Sequence, residues 1–241
     1  MVTGGSSGIG QAAAQGLAAA GASVVLVARD KARLESARAS IAESGGRCSA
    51  QPVDLSDRDA LAEAAKDCLR TFGDPDILVN AAGVNMRPAM SAVSAEVWDM
   101  TIAVNLTAPF LLGQHLAPAM IARGFGRIIN FGSQQSFRAF GNSGAYGVSK
   151  AGVLALTRSQ AEAWSRYGVC CNAIIPGFVN TAMTKAVFDD PEREAEMAKR
   201  TMVGRNGLVD DIQGAVVFLA SRAADYITGQ AICVDGGFSS T

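Results

Sequence analysis

The stretch VTGGSSGIG, residues 2–10, decides the fold class of this chain. Residues 11–20 follow it, are rich in alanine and are predicted to form a helix. Glycines let a backbone approach a pyrophosphate closely, and the N-terminus of a helix favours its negative charge. The spacing Gly-x-x-x-Gly-x-Gly matches the common Gly-x-Gly-x-x-Gly fingerprint only loosely, so a plain glycine turn is the alternative. The residues expected around such a group are Gly4, Ser6, Ser7, Gly8, Ile9 and Gly10.

Apolar runs alternate with helical segments along the rest of the chain. Unbroken apolar strands are typical of parallel sheets with both faces covered. The alternation predicts an α/β fold, namely a single doubly wound Rossmann-type domain over residues 1–241 with a parallel seven-stranded sheet flanked by helices. Predicted strands after the first cover residues 23–28, 48–53, 76–79, 126–131, 169–175 and 231–234, and predicted helices include 31–44, 57–72, 145–167 and 209–221.

Two parts of this pattern are irregular. Met1 and Val2 alone are left for the first strand, so that strand is very short (truncated), or further residues precede it. A long helical stretch begins near Ser94 and runs toward Arg123, and it contains Pro109 and Pro118, which are expected to perturb it.

Composition argues against several classes of protein. The net charge of −1 offers no electrostatic attraction to nucleic acid or to an anionic membrane, and no apolar run approaches the length of a membrane span. The odd number of cysteines, without a Cys-x-x-Cys pair, favours buried reduced thiols and a cytoplasmic location. His115 has no partner for a metal site, so no metal is expected.

A tyrosine and a lysine lie one helical turn apart in the predicted helix 145–167. Tyr146-x-x-x-Lys150 places both side chains on one face, where a neighbouring ammonium lowers the pKa of a phenol. Such a phenol can exchange a proton with a carbonyl or an alcohol near neutral pH. Ser133 follows a predicted buried strand, so its hydroxyl can hold the substrate oxygen. A solvated helix pair is the simpler explanation of the spacing alone.

The ends of the second and third predicted strands carry groups for an adenosine moiety. Arg29 stands where an acidic residue would bind the ribose of NAD, and it can pair with a 2′-phosphate, which favours NADP. Asp30 weakens this prediction slightly unless it caps the following helix. Asp54, followed by Leu55, is placed to meet the adenine, although a capping or turn role is about equally compatible.

The fourth predicted strand is followed by Asn80, Ala81 and Gly83. The small residues of this stretch would let the backbone pass close to a flat ring system. Asn105, further along, interrupts an apolar stretch. A buried asparagine must be satisfied, so it ties its helix to the backbone of that strand, and it can also hold a water near the lysine.

The sixth strand is followed by Pro176, Gly177, Val179 and Thr181. Thr181 can reach the nicotinamide amide or a phosphate, or it can serve only as a turn hydroxyl. Asp190-Pro191 is a clear helix start, and the charged helix after it suggests a substrate lid over residues 181–205.

Together these residues resemble the short-chain dehydrogenase/reductase family over essentially the whole chain. The resemblance implies that Tyr146 is the catalytic acid/base, Lys150 grips the nicotinamide ribose and Ser133 orients the substrate oxygen. It also implies a homotetramer, to which Val234 and Phe238 can contribute unless they pack in the core. The matches are Thr3-Gly4-x-x-x-Gly8-x-Gly10, Asn80-Ala81-Ala82-Gly83, Asn105, Ser133, Tyr146-x-x-x-Lys150, Pro176-Gly177 and the tail from Gly229-Gln230 to Asp235-Gly236-Gly237.

The implied function is an NADP(H)-dependent oxidoreductase, with NAD possible as cofactor, that interconverts an alcohol and a ketone. Stretches 83–87 and 204–207 are similar to those of gluconate 5-dehydrogenase-type members, which favours a sugar acid or polyol. The alternatives are a 3-oxoacyl-carrier-protein reductase, served by Arg123, Arg127 and Arg138, and a non-catalytic NADP-binding sensor or scaffold. Polar residues expected near the substrate are Asn85, Arg87, Gln134, Gln135, Arg138 and Asn142.

Overall fold

The computed structural model describes residues 1–68 and 70–240, and a seven-stranded sheet organises them. All pairings between neighbouring strands are parallel. The strands are β1 (Val2–Thr3), β2 (Val24–Ala28), β3 (Cys48–Pro52), β4 (Ile77–Asn80), β5 (Gly126–Phe131), β6 (Val169–Pro176) and β7 (Ala231–Val234). Their order across the sheet is β3-β2-β1-β4-β5-β6-β7.

Helices cover both faces of this sheet. Successive residues of a strand point to opposite faces, so Val24 and Leu26 join one apolar cluster while Val25 and Val27 join another. The predicted doubly wound α/β fold is therefore confirmed. The α-helices are α1 (Gly8–Ala19), α2 (Lys31–Glu43), α3 (Arg58–Phe72), α4 (Ala95–Ile102), α5 (Ala108–Arg123), α6 (Gly144–Trp164), α7 (Lys185–Phe188), α8 (Pro191–Lys199) and α9 (Gln213–Ala220).

The first strand has two residues and yet occupies the centre of the sheet. Val2 pairs with Leu26 of β2 on one side and with Val79 of β4 on the other. Both of its residues are buried. The first strand is very short, as one of the two predicted alternatives has it, and its two neighbours supply hydrogen bonds on both sides.

The helical stretch predicted from near Ser94 toward Arg123 is interrupted, but not at Pro109 or Pro118. A π-helical turn, Ala103–Thr107, separates α4 from α5. Pro109 lies in the first turn of α5, where a missing N–H costs no hydrogen bond, and the helix continues through Pro118. Asn105 lies inside the π turn, and such turns are frequent at functional sites.

The side chains of the cysteines are free thiols of mixed exposure. Cys68, Cys170 and Cys171 are buried as predicted, whereas Cys48 is partly buried and Cys233 is exposed. Within the described residues, no helix is both long enough and apolar enough to cross a membrane.

Candidate active site

The strand order reverses between β1 and β4, and a cavity of about 530 Å³ opens at the carboxyl ends of the strands there. Crevices at such a reversal are where doubly wound sheets bind ligands. Of the catalytic and cofactor-binding residues predicted from the sequence, all but Asn80 and Asn105 line this cavity. Those that line it are Gly4, Ser6, Ser7, Gly8, Ile9, Gly10, Arg29, Asp54, Leu55, Ala81, Gly83, Ser133, Tyr146, Lys150, Pro176, Gly177, Val179 and Thr181.

The glycine loop between β1 and α1 has the shape of a cradle. Gly4 has φ +68°, and a methyl group added there would lie 2.8 Å from the backbone of Ala82. Ser7 precedes α1 without a side-chain capping bond, so in the described chain the first N–H groups of this helix face the loop. A phosphate group fits such a set of donors without a further protein partner.

Two arginines line the far end of the cavity. Arg29 directly follows β2, and Arg33 lies in the first turn of α2. Asp30 accepts a hydrogen bond from the Arg33 N–H at 3.0 Å, so it caps the helix as the alternative interpretation proposed. Arg33 was missed by sequence reasoning, although its position four residues after Arg29 is the signal that could have found it. The pair suits a doubly charged phosphate.

Asp54 is held by Ser56 at the mouth of the cavity. It accepts hydrogen bonds from the Ser56 hydroxyl at 2.7 Å and from its N–H at 2.9 Å. These bonds, with the nearby Arg29 charge, lower the pKa of the Asp54 carboxyl. The turn role is therefore present, and the residue lines the cavity as well.

Asn80 does not line the cavity, which corrects the prediction for its side chain. Its Nδ2 donates to Asn130 Oδ1 at 2.8 Å, inside the sheet. Asn130 in turn donates to Thr157 and Gln160 of α6, at 3.0 Å each. Asn80, at the buried end of β4, therefore bonds to β5, and Asn130 links β5 to α6.

Tyr146 and Lys150 are both buried, at 7% and 5% exposure, and both line the cavity. The Lys150 ammonium donates to the Phe131 carbonyl at 2.7 Å and lies 5.8 Å from the centre of the Tyr146 ring. Burial lowers the pKa of Lys150 to about 8. The Lys150 ammonium is therefore easier to deprotonate than that of an exposed lysine.

Burial also raises the pKa of Tyr146, against the expectation that Lys150 would lower it. The groups that oppose this rise are Ser133, through a hydrogen bond, and Arg87, through its charge. Loss of solvent around the phenolate outweighs both in this structure. Lys150 is not among the groups that lower this pKa, and its ammonium donates to the Phe131 carbonyl at the end of β5.

Ser133 begins a short 3₁₀ turn at the end of β5. Its Oγ accepts a hydrogen bond from the Gln135 N–H at 3.2 Å, which leaves its hydrogen for another acceptor. The Ser133 N–H donates to Ser136 Oγ at 3.1 Å, and Ser136 Oγ donates to the Lys150 carbonyl at 2.8 Å. This chain of bonds holds the serine loop against the helix that carries Tyr146.

Asn105 lies beneath the cavity. Its Oδ1 accepts from the Val84 N–H at 2.8 Å, and its Nδ2 donates to the Val84 carbonyl and to Ser149 Oγ, each at 3.0 Å. The predicted tie to the backbone exists, although it reaches the segment after β4 and not the strand itself. A methyl group added to Gly83 would lie 3.4 Å from Asn105 Oδ1 and 3.7 Å from Lys150 Nζ. These three residues therefore converge.

The substrate-side predictions divide into two groups. Asn85, Arg87, Gln134 and Gln135 line the cavity, whereas Arg138 and Asn142 are outside its lining. Arg138 donates to the Ser239 carbonyl at 3.0 Å. Residues that sequence reasoning missed include the apolar groups Phe140, Phe178, Met183 and Val187.

Thr181 and the residues directly after it form the wall of the cavity beside the glycine loop. A methyl group added to Gly8 would lie 3.2 Å from Thr181 Cγ2, so this threonine meets the glycine loop. Its N–H donates to Thr184 Oγ1 at 3.0 Å, and Thr184 Oγ1 donates to the Val179 carbonyl at 2.5 Å. The Thr181 hydroxyl also lies 3.1 Å from Thr184 Oγ1, so it takes part in this turn while Thr181 lines the cavity.

Fold and site together define a dinucleotide-binding oxidoreductase, and comparison with known proteins agrees. Residues 4–239 match the family model described as enoyl-(acyl carrier protein) reductase. The chain is 39% identical over 239 residues to gluconate 5-dehydrogenase of Gluconobacter oxydans, covering 99% of the chain and 93% of that protein. It is 39% identical over 241 residues to 2-dehydro-3-deoxy-D-gluconate 5-dehydrogenase of Bacillus subtilis, covering 100% and 94%.

A solved structure of gluconate 5-dehydrogenase from Burkholderia cenocepacia, in complex with NADP and tartrate, superposes with a TM-score of 0.94 at 36% identity. The match covers 99% of this chain and 94% of that one. The chain belongs to the short-chain dehydrogenase/reductase family. It is an oxidoreductase that acts on CH–OH groups, like the dehydrogenases to which it is similar.

Proposed function

We propose that this chain interconverts an alcohol and a ketone on a polar hydroxy or keto substrate, a sugar acid or polyol, with NADP(H) as cofactor. The observation that carries the proposal is one continuous cavity. It joins the glycine loop and two arginines at one end to Ser133, Tyr146 and four polar side chains at the other. A cofactor bound along the first part brings its reactive end to the second.

The chain itself supplies the proton. In reduction, Tyr146 Oη gives its proton to the carbonyl oxygen, and Ser133 Oγ donates a hydrogen bond that holds this oxygen in place. Lys150, whose pKa is about 8, is suited to return a proton to the phenolate near neutral pH. Asn105 positions the segment at Val84, and a water held near it would link the lysine to solvent. NADPH supplies the hydride to the carbonyl carbon when it is bound.

The cofactor preference follows from charge at the arginine end. Arg29 and Arg33 would both face the 2′-phosphate that distinguishes NADP from NAD. The carboxylate of Asp30 caps α2 and also lies 3.5 Å from Arg33 Nε, so it is already engaged. Asp54 and Leu55 would lie beside the adenine. Relatives support this choice, since the Burkholderia enzyme was solved with NADP.

The substrate class follows from the polar end. Arg87 is exposed at the cavity, and its guanidinium donates to the Gly141 carbonyl, so it is held where it can meet a carboxylate. Amide groups of Asn85, Gln134 and Gln135 suit hydroxyl groups. The names of the relatives, gluconate 5-dehydrogenase and 2-dehydro-3-deoxy-D-gluconate 5-dehydrogenase, support a sugar acid.

The alternative function, a 3-oxoacyl-carrier-protein reductase, would need three arginines to form a basic surface beside the cleft. Arg127 is 1% exposed and pairs with Asp225, and Arg123 pairs with Asp74 at 2.9 Å. Arg138 contacts the tail carbonyl of Ser239. The three arginines that this rival function would use are therefore buried or engaged by other groups of the chain. A sensor without catalysis would not need Ser133, Tyr146 and Lys150 gathered in one cavity.

Further parts of the proposal concern the whole chain. Residues 181–205 form a lid, anchored by the Val179–Gly207 bridge and the Arg205–Asp211 ion pair, at 2.6 Å. Four copies assemble through exposed apolar side chains such as Phe110. Five free thiols suit the reducing cytoplasm.

The test compares initial rates with NADPH and NADH on 5-keto-D-gluconate, a polyol, an acetoacetyl thioester and a hydrophobic ketone. We expect NADPH and the sugar acid to be preferred. Exchanging Arg29 or Arg33 for Gln should raise the KM for NADPH roughly 10- to 100-fold and leave that for NADH nearly unchanged, with Arg166→Gln as control. A clear NADH preference, or turnover of the hydrophobic ketone alone, would contradict the proposal.

A further inference from the structure

The chain after β6 crosses the cavity and meets its other wall at two points. A methyl group added to Gly8, at the start of α1, would lie 3.2 Å from Thr181 Cγ2. One added to Gly83, in the segment after β4, would lie 3.8 Å from Met183 Cε. Because β5 separates β4 from β6 in the sheet, the chain passes over the carboxyl end of β5 to make these contacts. This crossing segment, residues 181–183, therefore covers the crevice between β1 and β4.

The terminal methyl group of Met183 lies beside the ammonium of Lys150. The methyl group that Gly83 lacks would be 3.8 Å from Met183 Cε, 3.7 Å from Lys150 Nζ and 3.4 Å from Asn105 Oδ1. These three atoms thus surround one small space next to the Gly83 backbone. The side chain of Met183 therefore reaches from the crossing segment to the wall of the cavity that carries Lys150.

Met183 combines a fixed backbone with an accessible side chain. The Thr181 N–H donates to Thr184 Oγ1 at 3.0 Å, and the Thr184 N–H donates to the Thr181 carbonyl at 3.1 Å. Thr184 Oγ1 also donates to the carbonyl of Val179, a residue that is 2% exposed, so the turn is tied to the core. Met183 is nevertheless 45% exposed. A large apolar side chain held open at a cavity is stabilised when apolar surface of a ligand covers it.

The ligand surface that suits this side chain is a flat ring. Methionine is unbranched and flexible, and its polarisable thioether makes favourable contacts with aromatic rings. The proposed reaction needs the nicotinamide ring beside Tyr146 and Lys150, because hydride transfer requires the ring and the substrate carbonyl in contact. The adenosine belongs to the arginine end of the same cavity. Of the two ends of a bound dinucleotide, Met183 is therefore placed at the nicotinamide end.

We propose that Met183 is a further cofactor-binding residue, whose side chain packs against the nicotinamide ring and holds it beside Tyr146 and Lys150. The inference rests on the proposed use of NADP(H). It assigns the contact of Met183 to the ring and not to the phosphates or the adenosine. Removal of the side chain should therefore weaken the binding of a dinucleotide that has the ring and spare one that lacks it.

Calorimetric titration with NADPH and with ADP-ribose 2′-phosphate, which is the same dinucleotide without the nicotinamide ring, tests this directly. Met183→Ala should raise the Kd for NADPH roughly 5- to 30-fold and change that for ADP-ribose 2′-phosphate by less than about twofold. Met183→Leu keeps most of the apolar volume and should keep most of the affinity for NADPH. Met90→Ala is the matched control, because Met90 is 67% exposed and lies outside the cavity lining, and it should leave both Kd values unchanged.

An unchanged Kd for NADPH in Met183→Ala, an equal loss for both ligands, or an equal loss in Met183→Leu or Met90→Ala would overturn the inference. Failure of the proposed function has a different signature. A protein that shows the expected Kd pattern but reduces no ketone would contradict the proposed reaction and keep the assignment of Met183. If the protein binds NADH and not NADPH, the cofactor preference fails, and NADH with ADP-ribose then gives the same comparison. A protein that binds none of these ligands would overturn both.

Discussion

At the residue scale, burial opposes the charges that proton transfer requires. The pKa of the Tyr146 phenol is raised and that of the Lys150 ammonium is lowered to about 8, both chiefly by loss of solvent. Each group is thus biased toward its neutral form, the form in which a tyrosine can give a proton. Ser133 and Arg87 are the neighbours that favour the phenolate once the proton has left.

The cost of burying Lys150 predicts how stability depends on pH. The pKa is about 8 in the folded chain and 10.5 ordinarily, so between these values the unfolded chain binds more protons. The contribution of Lys150 to the free energy of unfolding therefore rises as the pH increases from about 8 to 10.5. The full difference corresponds to on the order of 3 kcal/mol.

Urea unfolding of the wild type and of Lys150→Met tests this expectation. The variant should gain stability relative to the wild type at pH 7, where the buried ammonium is charged. Its advantage should shrink by most of that amount as pH rises from 7 to 10. Lys66→Met, at an exposed position, is the control and should show no such trend. An advantage that stays constant over this range would show that the lysine is not destabilised by burial.

The proposed reacting groups could be predicted from the sequence because their chemistry and spacing are local. Tyr146 and Lys150 are one turn apart, and Ser133 follows a strand. It could not foresee that the Lys150 ammonium turns to the Phe131 carbonyl or that Asn80 bonds to Asn130. Those choices depend on partners brought together by the sheet, distant in sequence.

At the element scale, the glycine loop depends on close backbone packing. A methyl group at Gly10 would overlap the Gly4 carbonyl, whereas one at Gly214, in α9, meets nothing within 4 Å. Gly10→Ala should therefore destabilise the fold by about 1–3 kcal/mol and weaken NADPH binding. Gly214→Ala should be neutral or stabilise by up to about 1 kcal/mol, because alanine is the better helix former.

Thermal unfolding with and without NADPH measures both effects. Addition of the cofactor should raise the Tm of wild type and Gly214→Ala alike, and that of Gly10→Ala by much less. Equal shifts in all three would mean that the loop does not approach the cofactor.

Element boundaries were predictable where caps and apolar runs mark them, as at Asp190, which accepts from the Glu192 N–H at 3.1 Å to start α8. The π turn at Ala103–Thr107 was not. Nothing in local propensity separates it from α-helix, because it forms where Asn105 reaches the Val84 backbone. The short helix Lys185–Phe188 was also missed within the charged segment.

At the scale of the whole molecule, the alternation of strands and helices was sufficient to predict the sheet, because parallel strands with right-handed crossovers leave few arrangements. The proposed tetramer depends on surfaces that sequence cannot assign. Phe238, suggested for that interface, is instead buried against Phe178, with ring centres 5.5 Å apart. Phe110, on α5, is 42% exposed and remains available.

Light scattering with size-exclusion chromatography tests the assembly. The wild type should elute as a tetramer, and Phe110→Glu should elute as a smaller species, since a charge buried in an apolar contact is costly. Phe72→Glu, at 37% exposure on α3, is the matched control and should stay tetrameric. A monomeric wild type, or an unaffected Phe110→Glu protein, would contradict the proposed interface.

The central claim is that the Tyr146 hydroxyl delivers the proton to the substrate carbonyl, and its most direct test is Tyr146→Phe. Single-turnover mixing of the protein–NADPH complex with 5-keto-D-gluconate measures the rate of NADPH oxidation, and fluorescence titration measures the Kd for NADPH. The account predicts a rate lower by about 10²- to 10⁴-fold with a Kd within about threefold of wild type. A variant that keeps more than about a tenth of the wild-type rate would contradict it.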